Sequence, residues 1–182
     1  MHENVYDVVV KRIEGSTTPL CAYRGKVLLI VNVASKCGLT PQYTGLEKLY
    51  RDKHSRGLEI LGFPANDFAG QEPGTEAEIA SFCSTQYDVT FPMFAKITVK
   101  NGPNQHPLYG ALIHAQPHAA NVEGFREKLK GYGIEPGDPT EVTWNFEKFL
   151  VDRQGAVVAR FSPDTTADDP TLTAAIDREL AR

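Results

Sequence analysis

Cys37 is the residue of this chain best placed to do chemistry. It follows the run Val27-Leu28-Leu29-Ile30-Val31-Asn32-Val33-Ala34-Ser35-Lys36, and an amphipathic pattern begins just after it. The spacing predicts a thiol at the C-terminal end of a buried strand and close to the start of a helix. Unpaired N–H groups and the partial positive charge of a helix N-terminus favour the thiolate, the nucleophilic form of cysteine. Lys36 acts in the same sense. Gln71 lies in a tightly turned loop after the next strand, and Trp144-Asn145 falls at the expected start of another. Loops at the C-terminal ends of parallel strands gather on one sheet edge, which brings Gln71 toward Cys37. An indole N–H and two carboxamides supply hydrogen-bond donors. No histidine or carboxylate beside them is marked out as a base.

Other chemistries fit less well. The three cysteines, Cys21, Cys37 and Cys83, are too few and too widely spaced for a disulfide framework, and there is no C-x-x-C. His114 and His118 have the spacing of a metal pair on a helix, but Pro117 lies between them and no third ligand is evident. They read as surface histidines. A formal net charge of −4 gives no reason to expect a nucleic-acid partner. No apolar run is long enough to span a bilayer, and the N-terminus lacks the pattern of a signal peptide. These features predict a cytoplasmic protein.

The 182 residues are read as one domain, 1–182, with a substantial core. Short strands are expected over Val5–Ile13, Val27–Val33, Leu58–Phe63 and Phe91–Val99, and a hairpin over Thr143–Asp152 and Ala156–Phe161. The second of these is apolar on both faces, as a central strand must be. Tyr43, Leu46, Leu49 and Tyr50 recur at helical spacing, ending near Gly57. Thr75-Glu76-Ala77-Glu78 is a capping box, and Ile79, Phe82 and Cys83 share one face of the helix it opens. Further helices begin at His106-Pro107-Leu108 and at Asp169-Pro170, the latter with Leu172, Ile176 and Leu180 inward. Gln116–Glu141 reads as a surface excursion. Strand–helix–strand first and an antiparallel hairpin later predict an α/β fold of thioredoxin-like type, a mixed central sheet flanked by helices.

Three blocks resemble the signatures of glutathione peroxidases: Asn32-Val33-Ala34-Ser35-Lys36-Cys37-Gly38; Gly62-Phe63-Pro64-Ala65-Asn66-Asp67-Phe68 with Gln71-Glu72-Pro73-Gly74; and Trp144-Asn145-Phe146-Glu147-Lys148-Phe149-Leu150-Val151. The resemblance runs from about Val5 to the final helix and is closest to bacterial cysteine-containing members. It implies that Cys37 is the peroxidatic residue, oxidised by hydrogen peroxide or organic and lipid hydroperoxides to a sulfenic acid. It implies that Gln71, Trp144 and Asn145 complete a catalytic tetrad. Phe82-Cys83-Ser84-Thr85 matches the place of the resolving cysteine in thioredoxin-dependent members, which implies a Cys37–Cys83 disulfide recycled by thioredoxin. Cys83 reaches Cys37 only if its helix locally unwinds. No bound cofactor is implied.

Glutathione is the alternative reductant, in a one-cysteine cycle. Relatives that bind it use several arginines, and the matching stretch Val158-Ala159-Arg160-Phe161 holds only Arg160. The sequence departs from the family at Ala65, where many members have cysteine, and at Asp67, where Gln is usual. Cys21 has no implied role. A peroxiredoxin needs Pro and Thr where Ile30 and Ala34 stand. A non-catalytic thioredoxin-like module that senses redox state or binds a partner is the rival from another class. The excursion at Gln116–Glu141 lies where tetrameric relatives carry an assembly loop, which leaves oligomeric state open.

Overall fold

The computed structural model describes residues 4–182. Its centre is a four-stranded mixed sheet in the order β4-β3-β5-β6. Here β3 is Val27–Val33, β4 is Leu58–Pro64, β5 is Lys148–Val151 and β6 is Val157–Phe161. β3 pairs parallel with β4, from Val27 opposite Leu58 to Val33 opposite Pro64, and antiparallel with β5. β5 and β6 form the antiparallel hairpin. The parallel pair requires a crossover, supplied by α1, Gln42–Lys53. A one-turn 3-10 helix, His54–Arg56, continues α1 and ends at Gly57, whose φ of +111° explains the glycine.

Every residue of β3 is buried, and its side chains divide between two cores. Val27, Leu29, Val31 and Val33 pack with α1, with α2 (Glu76–Tyr87) and with α5 (Pro170–Leu180). Leu28 and Ile30 pack on the other face with α3 (Pro107–Ala115) and the N-terminal segment. The period of two along a strand makes this division. Leu172, Ile176 and Leu180 of α5 face inward, as their spacing predicts.

Four expectations are corrected. Val5–Ile13 is not one strand: Val5–Asp7 is a 3-10 turn and only Val9–Lys11 (β1) is extended, paired with β2, Thr17–Pro19. Phe91–Val99 forms no strand. It touches β4 through one isolated bridge, Gly62 to Met93, with the Gly62 N–H donating to Pro92 O and the Phe94 N–H to Gly62 O, and bridges Arg12 at Phe94. Pro92 removes a donor, and a ladder cannot continue through it. The expected strand over Thr143–Asp152 begins only at Lys148. The Gln116–Glu141 excursion contains a helix, α4 (Val122–Gly131), that buries Phe125 and Leu129. Beside it, Ala120 bonds Arg160 and Ser162, covering part of the β6 edge.

Candidate active site

β3 delivers the chain to a tight turn that carries Cys37. Thr40 ties this turn: its Oγ1 donates to Ala34 O at 2.7 Å and accepts from the Cys37 N–H at 3.0 Å. The Leu39 N–H donates to Cys37 Sγ at 3.3 Å. α1 begins at Gln42, beyond the turn, so the donor on the sulfur comes from the turn itself and not from the helix N-terminus. The effect on a thiolate is of the same kind, because a backbone N–H aimed at sulfur stabilises negative charge. Cys37 is 9 % exposed, shielded on most sides but open to a small reactant.

β4 delivers the second arm. Its loop is shaped by the Glu72 N–H donating to Asn66 Oδ1 at 2.8 Å and by left-handed backbone at Ala69 and Gly70. The Lys36 N–H donates to Gln71 O at 3.0 Å, which joins this loop to the Cys37 turn. Asp67 holds the Val99 N–H at 2.7 Å, so its carboxylate anchors the segment before α3. Ala65 is fully buried.

The third arm is a turn clamped by Asn32 of β3. Asn32 Nδ2 donates to Trp144 O at 3.1 Å, and Asn32 O accepts from the Phe146 N–H at 2.6 Å. Between these two bonds lies Asn145, fully buried. Phe146 adopts φ +69°, rare for a bulky residue and costing on the order of 1–3 kcal/mol. That backbone reversal breaks the extended run, and it aims Asn145 Nδ2 at Gln71 Oε1, 2.9 Å away. With its oxygen accepting, Nε2 is the end of the Gln71 amide left to donate. The Trp144 ring is half-buried and lies 5.3 Å from the Phe68 ring. Trp144 packs against the same core cluster as Cys37. Three loops from distant parts of the chain therefore meet at one sheet edge.

Cys83 lies on α2, 2 % exposed, in the core cluster that also holds Cys37. Burial pushes its thiol up to about 11. The capping box at Thr75 is present: the Glu78 N–H donates to Thr75 Oγ1 at 3.2 Å, and the Thr75 N–H to Glu78 Oε1 at 3.1 Å. Ile79 and Cys83 are the buried residues of this 12-residue helix, and Phe82 is half-buried. All three cysteines are free thiols, and Cys21 packs against the opposite core.

Arg160 is 2 % exposed. Its Nε donates to Glu147 Oε2 at 2.6 Å, and its remaining nitrogens to the carbonyls of Gln116, Thr140 and Glu141. It is a buried structural cation with four of its five donors spent. His114 and His118 are exposed, as expected. No helix among the described residues is long and apolar enough to cross a membrane.

Three residues that matter to the geometry were not singled out by type or spacing: Asn32, Thr40 and Glu72. Asn32 had a signal, since it is the one polar residue in an otherwise apolar strand. Glu72 had none, because a carboxylate in a Gly/Pro-rich loop reads as solvated, whereas here it is fully buried.

The family model for glutathione peroxidase matches residues 5–113. The chain is 50% identical over 184 residues to the thioredoxin/glutathione peroxidase BtuE of Escherichia coli, covering 100% of both. It is 47% identical to the hydroperoxy fatty acid reductase gpx1 of Synechocystis, over 92% of this chain and 94% of that one. Among solved structures, T. cruzi GPX1 superposes with a TM-score of 0.72 at 30% identity, covering 98% of this chain and 97% of that one. A thiol:disulfide interchange protein of the thioredoxin family from Chlorobium tepidum, 14% identical over 99% of this chain and 97% of that one, superposes with a TM-score of 0.64 and shares the fold. The fold is thioredoxin-like, and the chain belongs to the glutathione peroxidase family, enzymes that reduce peroxides.

Proposed function

We propose that the chain is a two-cysteine thiol peroxidase, with Cys37 as the attacking thiolate, Cys83 as the resolving thiol and thioredoxin as the reductant. The observation that carries the reading is the joining of the three loops: Asn145 bonded to Gln71, and Gln71 bonded through its backbone to Lys36 beside Cys37. The Cys37 thiolate attacks one peroxide oxygen. The O–O bond breaks, the departing oxygen takes a proton and leaves as water or alcohol, and sulfur becomes sulfenic acid. Gln71, Trp144 and Asn145 contribute N–H donors held in place before the reaction, which stabilise charge developing on sulfur and on the departing oxygen. No side chain need act as a permanent base.

In the second step the Cys83 sulfur displaces hydroxide from Cys37. An S–S bond forms, the S–O bond breaks, and the thiol proton and the hydroxide leave as water. A dithiol protein then reduces the disulfide by exchange. The burial of Arg160 favours this route over glutathione, since its side chain is 1% exposed and four of its five N–H donors are already bonded inside the protein. The BtuE relative is named for both reductants, which keeps glutathione as the second reading. The cycle as a whole fits the reducing cytoplasm, with no bound cofactor and the chain working as one domain.

The test is steady-state turnover of hydrogen peroxide and an organic hydroperoxide, coupled to thioredoxin, its reductase and NADPH. Turnover by the wild type, its loss in Cys37→Ser, and its loss in Cys83→Ser are expected. Unchanged turnover in Cys37→Ser overturns the attacking role; unchanged thioredoxin-dependent turnover in Cys83→Ser overturns the resolving role.

A further inference from the structure

Buried polar groups are normally hydrogen-bonded, and each exception calls for a reason. Several exceptions fall together here. Both carboxylate oxygens of Glu72, the Ser35 hydroxyl and the Tyr43 hydroxyl are buried without a hydrogen-bond partner among the described residues. Ser35 lies near the Glu72 carboxylate and Tyr43 near the Cys83 sulfur, each pair close enough to interact but short of hydrogen-bond geometry. The Glu72 charge is also felt at Cys83, where it disfavours the thiolate.

A cavity of about 310 Å³ adjoins this cluster. It is lined by Ser35 and Lys36 of the Cys37 turn, by Glu72, and by Glu78, Ile79 and Phe82 of α2. It thus lies between the turn that carries the sulfenic acid and the helix that carries the second thiol.

We propose that Glu72 is the proton acceptor for Cys83 in the disulfide step, an assignment that rests on the resolving role proposed for Cys83. The Cys83 thiol gives its proton to the Glu72 carboxylate as its sulfur attacks Cys37. The S–S bond forms, the S–O bond breaks, and the proton on Glu72 passes to the departing hydroxide, so that water leaves and Glu72 is restored. The Cys37 sulfur is reduced and the Cys83 sulfur oxidised by the same electron pair. Burial also raises Glu72 from its ordinary value, which makes its carboxylate the more basic as a proton acceptor.

Other charged and titratable groups face the cluster from each element packed on it. Lys36 from the Cys37 turn and Lys96 from the segment after α2 favour the Glu72 carboxylate. Glu78 is held low by the Thr75 cap, and Glu76 accepts from the Lys96 N–H. Tyr43 of α1 is pushed well up by burial, and Tyr87 lies against it with ring centroids 5.4 Å apart. Glu72 is therefore the carboxylate of this cluster that burial makes more basic, without a hydrogen-bond partner on either oxygen among the described residues.

The experiment is the rate of Cys37–Cys83 disulfide formation after a single pulse of peroxide, measured from pH 5 to 9 in the wild type and in Glu72→Gln. The disulfide is trapped by acid quench and read by mass spectrometry. The isosteric variant removes the acceptor and also removes the charge that disfavours the Cys83 thiolate, so the two roles predict opposite signs. Loss of a proton acceptor slows the disulfide step about tenfold or more at pH 7, with oxidation of Cys37 within a few-fold of wild type. The rate in Glu72→Gln then rises about tenfold per pH unit with the thiolate fraction. An unchanged or faster step in Glu72→Gln overturns the proposal. If the variant does not fold, the wild-type profile decides: a fall in rate on acidification with a plateau above it supports Glu72, and a rate rising with hydroxide throughout overturns it. Failure of the wild type to form any Cys37–Cys83 disulfide overturns the resolving role and Glu72's part with it, which distinguishes the two failures.

Discussion

Asn145 donates from Nδ2 to Gln71 Oε1 at 2.9 Å, a bond between residues 74 apart in the chain. It fixes two amides against each other at the edge where β3 and β4 end. The Asn145 carbonyl oxygen is buried with no partner among the described residues, so the side chain is held through its donor end. Support comes from Asn32, which bonds the residues on both sides of Asn145.

Replacing Asn145 with Ala frees the Gln71 amide to turn and removes one donor. The expected result is a loss of about 100-fold or more in the rate of Cys37 oxidation, with little change in the disulfide step. Stopped-flow oxidation of the reduced protein, followed by Trp144 fluorescence, measures it. A loss of less than about threefold contradicts a role for Asn145 at the reacting sulfur.

Cys83 and Cys37 differ in what surrounds the sulfur. Burial raises Cys83 to about 11, while Cys37 receives the Leu39 N–H and is partly open. Alkylation of the reduced protein by iodoacetamide at about pH 7.5 should label Cys37 at least about 100-fold faster than Cys83. Peptide mapping over time reads both rates. Equal labelling contradicts a closed α2 in the reduced state.

Lys148 is fully buried; its Nζ donates to Gln42 Oε1 at 2.6 Å and to Pro163 O at 2.9 Å. Burial lowers it to about 7, against an ordinary 10.5. Between these values the unfolded chain binds the extra proton, so this lysine makes the native state gain stability as pH rises, by about 1.4 kcal/mol per unit. Below pH 7 the cost of burying the ammonium is constant. Denaturant unfolding of wild type and Lys148→Met should therefore diverge in favour of wild type from pH 7 to 10. Parallel curves contradict the lowered lysine.

The Arg160–Glu147 pair is buried on both sides, at 1% and 0% side-chain exposure. Arg160→Met strands the Glu147 carboxylate, which burial already raises, and orphans three carbonyls. A loss of about 3–5 kcal/mol in unfolding free energy is expected. If folded protein is recovered, its dependence on glutathione concentration should match the wild type. A selective rise in KM for glutathione without loss of stability contradicts the structural assignment.

The elements that carry the site were readable where local pattern and tertiary environment agree. The all-apolar β3, the helical spacing of Tyr43, Leu46 and Leu49, and the Thr75–Glu78 capping box each report a single physical cause. The residues at Phe91–Val99 have strand composition, but Pro92 and the close approach of Met93 to Gly62 limit pairing to bridges. The turn at Trp144 was hidden because Trp144, Phe146, Phe149 and Val151 give the run from Trp144 to Val151 the composition of one strand, while the reversal at Phe146 depends on Asn32 far away in sequence. Composition cannot reveal that Glu72 is buried, since only the closure of three loops removes it from water.

The central claim is a peroxide-driven bond between two named thiols, so the most direct measurement is a peroxide titration of the fully reduced protein with mass-spectrometric mapping of Cys21, Cys37 and Cys83. The account predicts a Cys37–Cys83 disulfide formed at one equivalent, with Cys21 still reduced. Oxidation that stops at Cys37 sulfenic acid, or that leaves Cys37 untouched, would contradict it.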